Sequence, residues 1–156
     1  MKVFIENPAG SYVKHIHDEK MLTLKRTEAV SRPYPFPYGF VLNTTAEDGD
    51  NVDCFVLTET ALHTGETVEC QAVGLMEQIE DGEIDHKVLA LMSGEDTPLD
   101  SGTKQLLADF CRHVFDHVPG KTMQIGHFCD AKDALGYIAQ HEDSMSRLST
   151  TQDQGS

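Results

Sequence analysis

A short acidic segment, Asp48-Gly49-Asp50-Asn51-Val52-Asp53, stands at the start of a predicted strand. Asp48 and Asp50 are two residues apart, so their side chains point to the same side of an extended backbone. Two like charges about 4 Å apart repel by roughly 4 kcal/mol at an effective dielectric constant of about 20. The carboxylates are therefore either spread into solvent as an ordinary turn or neutralised by hard cations. Oxygen ligands favour Mg²⁺, Mn²⁺ or Ca²⁺ over Zn²⁺.

A second acidic run lies between residues 80 and 87. It contains Glu80, Asp81, Glu83 and Asp85 and ends at Lys87, just before an apolar strand segment. As a hairpin turn, this run needs no function. If it faces the first segment, it adds further metal ligands and a cation that can contact an anion.

A proline-rich segment at residues 32–39 reads Arg-Pro-Tyr-Pro-Phe-Pro-Tyr-Gly. Alternating prolines fix φ and keep the backbone extended and stiff. Tyr34 and Tyr38 therefore stand on a rigid support that suits the display of hydroxyl groups. A ligand for an SH3-type domain is the structural alternative. Lys14 and Arg26 are two of the few cations in the first half of the chain.

The charge balance restricts the partners of the chain. Among 156 residues, 12 Lys and Arg oppose 26 Asp and Glu, for a formal net charge of −14. Such a surface disfavours nucleic acid and anionic membranes, and it requires metal ions or well-placed cations for any phosphate chemistry. No apolar stretch approaches the roughly 20 residues of a membrane span. The four cysteines are expected to be reduced, and we expect a cytoplasmic protein.

Turn residues divide the first 92 residues into short predicted strands. The turns lie at residues 8–10, 47–49, 63–65 and 81–82. The predicted strands are 2–6, 12–17, 21–26, 40–43, 52–58, 67–78 and 84–92. Short strands at this spacing indicate a small barrel rather than a parallel sheet with crossover helices.

Helical periodicity appears in the last third of the chain. Apolar residues from Leu106 to Val118 predict an amphipathic helix that ends near Pro119 and Gly120. Residues 121–129 predict another strand, and Asp130 caps a second predicted helix. The chain therefore predicts a mainly β, α+β fold. We expect one domain over residues 1–141 and a flexible tail over 142–156, which is rich in polar residues.

Taken together, these segments resemble the soluble family I inorganic pyrophosphatases. Residues 48–53 are similar to the D-G-D-P-x-D signature of that family, with Asn51 in place of the usual proline. Asp85 and Lys87 resemble its D-x-K pair. The resemblance extends from about residue 3 to residue 140, and further ordered matches are Glu6, Lys14, Arg26, Tyr34 and Tyr38.

The resemblance implies an OB-like five-stranded β-barrel with two flanking helices. It implies hydrolysis of inorganic pyrophosphate to two phosphates by a metal-activated water, with several Mg²⁺ ions or Mn²⁺ as a substitute, in a homo-oligomer, often a hexamer. The implied metal ligands are Glu6, Asp48, Asp53, Asp85 and either Glu80 or Asp81. Asp50 is the implied base, and the implied catalytic and substrate-binding residues are Lys14, Arg26, Tyr34, Tyr38 and Lys87.

The sequence departs from the family pattern at two places. Glu80 stands where an aspartate is usual, five residues before Asp85. Val114 and Phe115 stand where the family has a Tyr-Lys pair that contacts the leaving phosphate, and losing a charge-assisted contact costs about 1.5–3 kcal/mol.

Three interpretations of the second departure stay open. The substrate is bound more weakly, with an offset from Lys121 or Lys104. Alternatively, the apolar residues admit an organic diphosphate. The third interpretation is a non-catalytic module that binds metal or phosphate, and such a module would not need Lys14, Arg26 and Lys87 to converge on the acids.

Overall fold

The computed structural model describes residues 1–144, which contain nine strands and two helices. The strands are β1 (Lys2–Asn7), β2 (Val13–Asp18), β3 (Thr23–Ala29), β4 (Tyr38–Val41), β5 (Asp53–Val56), β6 (Thr67–Glu80), β7 (Glu83–Ile84), β8 (Lys87–Met92) and β9 (Met123–Cys129). The helices are α1 (Ser101–His113) and α2 (Ala131–Gln140). Each predicted strand overlaps an observed one, and the predicted strand 84–92 is interrupted at Asp85 and His86.

Five strands close into a barrel in the order β1, β4, β5, β8 and β6, because β6 also pairs with β1. These neighbours are antiparallel except for β5 and β8, which run parallel. β7 and β9 pair with the far end of β6, and β2 and β3 form a separate hairpin. The predicted mainly β barrel with two flanking helices is confirmed.

The turns that carry the acidic segments depend on glycine. Gly49 and Gly82 have φ values of +88° and +84°, a region that glycine enters without steric cost. Gly49 lies between two candidate aspartates, and Gly82 connects β6 to β7. Both turns were predicted from the sequence.

Two apolar clusters hold the helices against the barrel. One joins barrel residues such as Val52 and Val88 to Ala134 and Ile138 of α2. The other packs Leu107, Phe110 and further residues of the α1 segment against Tyr34, Tyr38 and Phe55. This second cluster packs against both candidate tyrosines and so fixes their positions.

The helix α1 ends earlier than the periodicity predicts. Asp100 caps its start by accepting a hydrogen bond from the Thr103 N–H at 2.8 Å, and its last residue is His113 rather than a residue near Pro119. The carbonyl of Val114 instead accepts the Ser31 N–H at 2.8 Å. This tertiary hydrogen bond helps the chain leave the helix and turn at residues 114–117.

The chain after α2 returns to the barrel. The Asp143 N–H donates to the carbonyl of Asn43 at 3.0 Å, and Thr44 forms an isolated bridge with Glu142. Residues 145–156 of the predicted tail lie outside the described residues, and the domain boundary at residue 141 stays a prediction. Neither helix within residues 1–144 is long and apolar enough to cross a membrane.

Substituting Gly39 tests the closure of the barrel. A Cβ atom at Gly39 would lie 1.8 Å from the carbonyl oxygen of Phe4, so Gly39→Ala forces β4 away from β1. We expect the free energy of unfolding to fall by about 3 kcal/mol or more, measured by urea denaturation. The control is Gly136→Ala in α2, where a Cβ meets nothing within 4 Å and helix propensity favours alanine. Equal midpoints for the two variants would contradict this account of the closure.

Candidate active site

One cavity of about 450 Å³ opens between the β2–β3 hairpin, the acidic turn and the end of α1. Its charged and tyrosine lining is Glu6, Lys14, Glu19, Arg26, Glu28, Tyr34, Tyr38, Asp48, Asp50, Asp53, Glu80, Asp85, Lys87 and Lys121. Every candidate site residue selected from the sequence lines this cavity except Asp81. The structure therefore brings both acidic segments, the cations and the tyrosines to one place.

Lys87 lies at the centre of the polar lining. Its Nζ donates to Asp53 Oδ2 at 2.7 Å, to Asp85 Oδ2 at 3.0 Å and to the Tyr38 hydroxyl at 3.0 Å. The parallel register sets Asp53 of β5 opposite Lys87 of β8. Burial opposes the charge on Lys87, but Asp53, Tyr38 and Asp85 together hold its pKa well above the usual value. Lys87 is therefore a permanent cation that ties two carboxylates together.

Other carboxyl groups in the cavity hold their protons more tightly than usual. Burial raises the pKa of Glu6 to about 7, and the charge of Asp53 adds to the effect. Burial also raises the pKa of Asp53 to about 6, against the lowering by Lys87, and that of Asp48 above its usual value. Lys14 and Lys87 lower these pKa values in part, but they do not fully offset the effect of burial.

A divalent cation fits this donor set. The side-chain amide of Gln78 is buried and lines the cavity, and its nitrogen donates to Asp85 Oδ2 at 3.3 Å. Its Oε1 finds no hydrogen-bond partner among the described residues. An unpaired acceptor beside an excess of carboxylates suits a hard cation, which prefers oxygen ligands. Within residues 1–144, no three acidic, histidine or cysteine side chains form a ready-made metal cage.

Glu19 is a cavity residue that the sequence reasoning missed. The backbone N–H of Asn51 donates to Glu19 Oε1 at 2.8 Å, a bond that a proline at this position could not make. The Asn51 side chain also accepts from Lys20 Nζ at 2.7 Å and donates to the Val41 carbonyl at 3.0 Å. Asn51 thus fixes the turn by hydrogen bonds, and the backbone N–H that a proline would lack signals only that some acceptor is needed here, without identifying Glu19.

The acidic turn is held from both sides. Asp48 Oδ1 accepts the N–H of Asp50 at 3.0 Å, which shapes the turn and leaves Asp50 exposed at the cavity. On the other side, Glu47 accepts from the Tyr137 hydroxyl at 2.8 Å and lies 2.6 Å from His141 Nε2. Burial opposes the charge of Glu47, but the Tyr137 hydrogen bond and His141 hold its pKa below the usual value. Helix α2 therefore positions the acidic turn.

The structure distinguishes Glu80 from Asp81. Glu80 lies on the cavity two residues after Gln78, on the same strand β6. Asp81 is turned away and accepts the Thr122 N–H at 2.8 Å. Its carboxylate also lies 3.7 Å from Lys121 Nζ. Of the two acids, Glu80 is the one placed to reach a ligand in the cavity.

The end of α1 gives the cavity an apolar wall. Val114 is buried, and Phe115 and Val118 continue the wall toward the mouth. Val114 and Phe115 are the two residues at which the sequence departs from the Tyr-Lys pattern. Two cations lie beside this wall, Lys14 and Lys121, whose Nζ atoms are 5.2 Å and 5.1 Å from the centroid of the Phe115 ring.

The excess of carboxylates predicts a pH-dependent stability. Burial, with added repulsion from Asp53 and Glu6, raises the pKa of Glu19 from 4.5 to about 9, so the folded chain holds this proton more tightly than the unfolded chain. The resulting stability is complete below pH 4.5 and is lost as the pH rises toward 9. Without divalent metal, we expect the free energy of unfolding to fall by roughly 1 kcal/mol per pH unit between about pH 6.5 and 8.5.

Urea denaturation at a series of pH values in the presence of a chelator measures this slope. Glu19→Gln should flatten it, whereas Glu83→Gln, which removes an exposed carboxylate from β7, should leave it unchanged. A slope that is the same in wild type and Glu19→Gln would show that Glu19 is not the group responsible.

Comparison with known proteins agrees with this geometry. A family model described as inorganic pyrophosphatase matches residues 3–146. The chain is 29% identical over 150 residues to the inorganic pyrophosphatase of Sulfolobus acidocaldarius, covering 88% of this chain and 87% of that protein. It is 37% identical over 92 residues to the inorganic pyrophosphatase of Mycoplasma pneumoniae, covering 58% of this chain and 50% of that protein.

Solved structures show the same likeness. The inorganic pyrophosphatase of Helicobacter pylori superposes with a TM-score of 0.83 at 26% identity and covers 90% of both chains. That of Thermus thermophilus superposes with a TM-score of 0.80 at 29% identity and covers 89% of this chain and 87% of its own. The chain belongs to the inorganic pyrophosphatase family.

Proposed function

We propose that this protein hydrolyses inorganic pyrophosphate to two phosphates with the help of Mg²⁺, for which Mn²⁺ can substitute. One observation carries the proposal. A single cavity sets Asp48, Asp50, Asp53 and Asp85 among cationic side chains. Pyrophosphate is a polyanion that gains charge during hydrolysis, so neutralisation and positioning supply most of the catalysis.

The residues proposed to hold the divalent ions are Glu6, Asp48, Asp53, Glu80 and Asp85. When bound, such ions neutralise phosphate charge and lower the pKa of a water molecule toward neutrality. The unpaired Gln78 Oε1 supports this assignment, because it offers a further oxygen to the same region.

Asp50 is proposed to receive the proton of the attacking water. It is exposed on the cavity, and Asp48 fixes its backbone, so a carboxylate oxygen of Asp50 can reach a water without first breaking an ion pair. Tyr38 keeps its proton because burial raises its pKa well above the usual value, so its hydroxyl can donate to a phosphate oxygen.

Lys87 differs from the other proposed phosphate ligands in the hydrogen bonds that it already makes. Its three hydrogen-bond acceptors use the three hydrogens of an ammonium group. Lys87 must release one acceptor before it can donate to phosphate. The Arg26 side chain, by contrast, makes a single hydrogen bond within the described part of the chain, to Glu28 at 3.0 Å. The primary proposed role of Lys87 is therefore to keep Asp53 and Asp85 together, with phosphate contact second to it.

Exposed apolar side chains and free thiols bear on the oligomeric state and the cellular compartment of the enzyme. We propose a homo-oligomer, with a hexamer favoured, and the exposed apolar side chains Tyr12, Met21 and Leu24 on and beside the β2–β3 hairpin support a subunit contact. The cysteines at 54, 70, 111 and 129 are free thiols, which supports a reducing compartment such as the cytoplasm.

Two isosteric substitutions test the reaction. We expect Asp50→Asn and Asp53→Asn each to lower the rate of phosphate release from pyrophosphate and Mg²⁺ by about 100-fold or more, since one removes the base and the other a metal-holding carboxylate. The control Asp109→Asn changes a surface carboxylate of α1 and should keep full activity. Wild-type protein that releases no phosphate, or variants as active as wild type, would refute the proposed function.

A further inference from the structure

Two ammonium groups share one aromatic ring at the edge of the cavity. Lys14 Nζ lies 5.2 Å and Lys121 Nζ lies 5.1 Å from the centroid of the Phe115 ring. The face of an aromatic ring attracts cations, and the attraction increases when the cation is partly desolvated. The two lysines come from distant parts of the chain, β2 and the segment before β9, so this arrangement is created by the fold.

Among residues 1–144, neither lysine has a carboxylate oxygen within 3.5 Å, whereas the other two cations of the cavity do. Lys87 has three acceptors, and Arg26 is bound to Glu28. Lys121 lies 3.7 Å from Asp81 and 3.9 Å from Glu80, both longer than a hydrogen bond. Within residues 1–144, Lys14 makes no ion pair. An anion entering the cavity therefore finds ammonium hydrogens available at Lys14 and Lys121.

The wall behind the lysines strengthens such a contact. Val114 is buried, and Phe115 and Val118 cover the same side of the cavity. Apolar groups offer no hydrogen bond to a phosphate oxygen, but they exclude water and lower the local dielectric constant. Attraction between an ammonium group and a phosphate is stronger there than in bulk water.

We propose that Lys121 is a substrate-contacting residue, which binds one phosphoryl group of pyrophosphate together with Lys14, and that Phe115 is the positioning residue for both ammonium groups. This inference rests on the proposed hydrolysis of pyrophosphate. It gives the apolar end of α1 a role in the same reaction. It also means that the cation on this side of the cavity comes from the segment before β9, whereas the family pattern places a lysine at the end of α1.

Substrate binding exchanges partners at Lys121. Asp81 is held in place by the Thr122 N–H, so its carboxylate does not follow the lysine into the cavity. The ammonium group leaves two ion-pair contacts, which are weak because they are longer than hydrogen bonds and only partly buried, and gains a phosphate oxygen. The exchange favours the phosphate-bound arrangement.

Steady-state kinetics with pyrophosphate and Mg²⁺ tests the proposal. We expect Lys121→Met to raise KM by about 10-fold or more, and Lys121→Arg to restore most of the affinity because it keeps the charge. The matched control is Lys104→Met. Lys104 Nζ also lies over a ring, 5.9 Å from the centroid of Phe128, but Lys104 does not line the cavity, so its loss should leave KM unchanged.

A second pair of variants tests the ring. Phe115→Leu keeps both lysines and the apolar wall but removes the aromatic face, and we expect KM to rise, whereas Phe115→Tyr should retain the wild-type KM. Thermal unfolding with and without inorganic phosphate in the presence of Mg²⁺ gives a readout apart from activity. Phosphate should raise the Tm of wild type and Lys104→Met more than that of Lys121→Met.

The outcomes separate this inference from the proposed function. Wild-type protein without pyrophosphate turnover would refute the proposed function. An active wild type with equal KM values for Lys121→Met and Lys104→Met would overturn the role of Lys121 alone. The role of Lys121 would also be overturned if the enzyme hydrolysed an alkyl diphosphate faster than pyrophosphate and Lys121→Met left KM unchanged. The apolar wall would then bind the organic group of the substrate.

Discussion

The contact on which the site depends is the one between Lys87 and the two carboxylates of Asp53 and Asp85. Asp53 and Asp85 would repel each other in a buried place, and one ammonium group within hydrogen-bond distance of both makes their proximity tolerable. β5 and β8 form the parallel pair of an otherwise antiparallel barrel, and their register places Asp53 beside Lys87. The break between β7 and β8 then turns Asp85 toward the same ammonium group.

The carboxylates of the cavity outnumber the cations that could neutralise them. Lys87 brings one positive charge to two carboxylates, and burial keeps the pKa values of Asp53, Glu6, Glu19 and Asp48 raised because nearby cations offset at most part of the loss of water. A site that suits a polyanion together with divalent cations has an excess of negative charge when neither is bound. The net charge of −14 shows that the imbalance extends over the whole molecule, so the few cations that reach the cavity have a large effect.

Much of this arrangement could be predicted from local sequence. The turns at Gly49 and Gly82 and the strands follow from turn chemistry and spacing, whereas the proximity of the two acidic segments could be expected only from the family resemblance. Strand alternation could also have selected Glu80 over Asp81, since Glu80 shares a face of β6 with Gln78. Glu19 and the early end of α1 could not be predicted. Both depend on a backbone hydrogen bond between segments far apart in sequence, to Asn51 in one case and to Ser31 in the other.

The link between α2 and the acidic turn has a consequence for the order of folding. Tyr137 and Glu47 are 90 positions apart, and Thr45 and Asp143 are 98 apart, so their contacts close long loops. Long loops cost more chain entropy to close than the local β2–β3 hairpin, which makes contacts of this kind late events. We therefore expect the turn that bears Asp48 and Asp50 to mature only after the C-terminal helix docks. Pulsed hydrogen exchange would show this as protection of residues 48–53 that lags behind protection of the barrel strands.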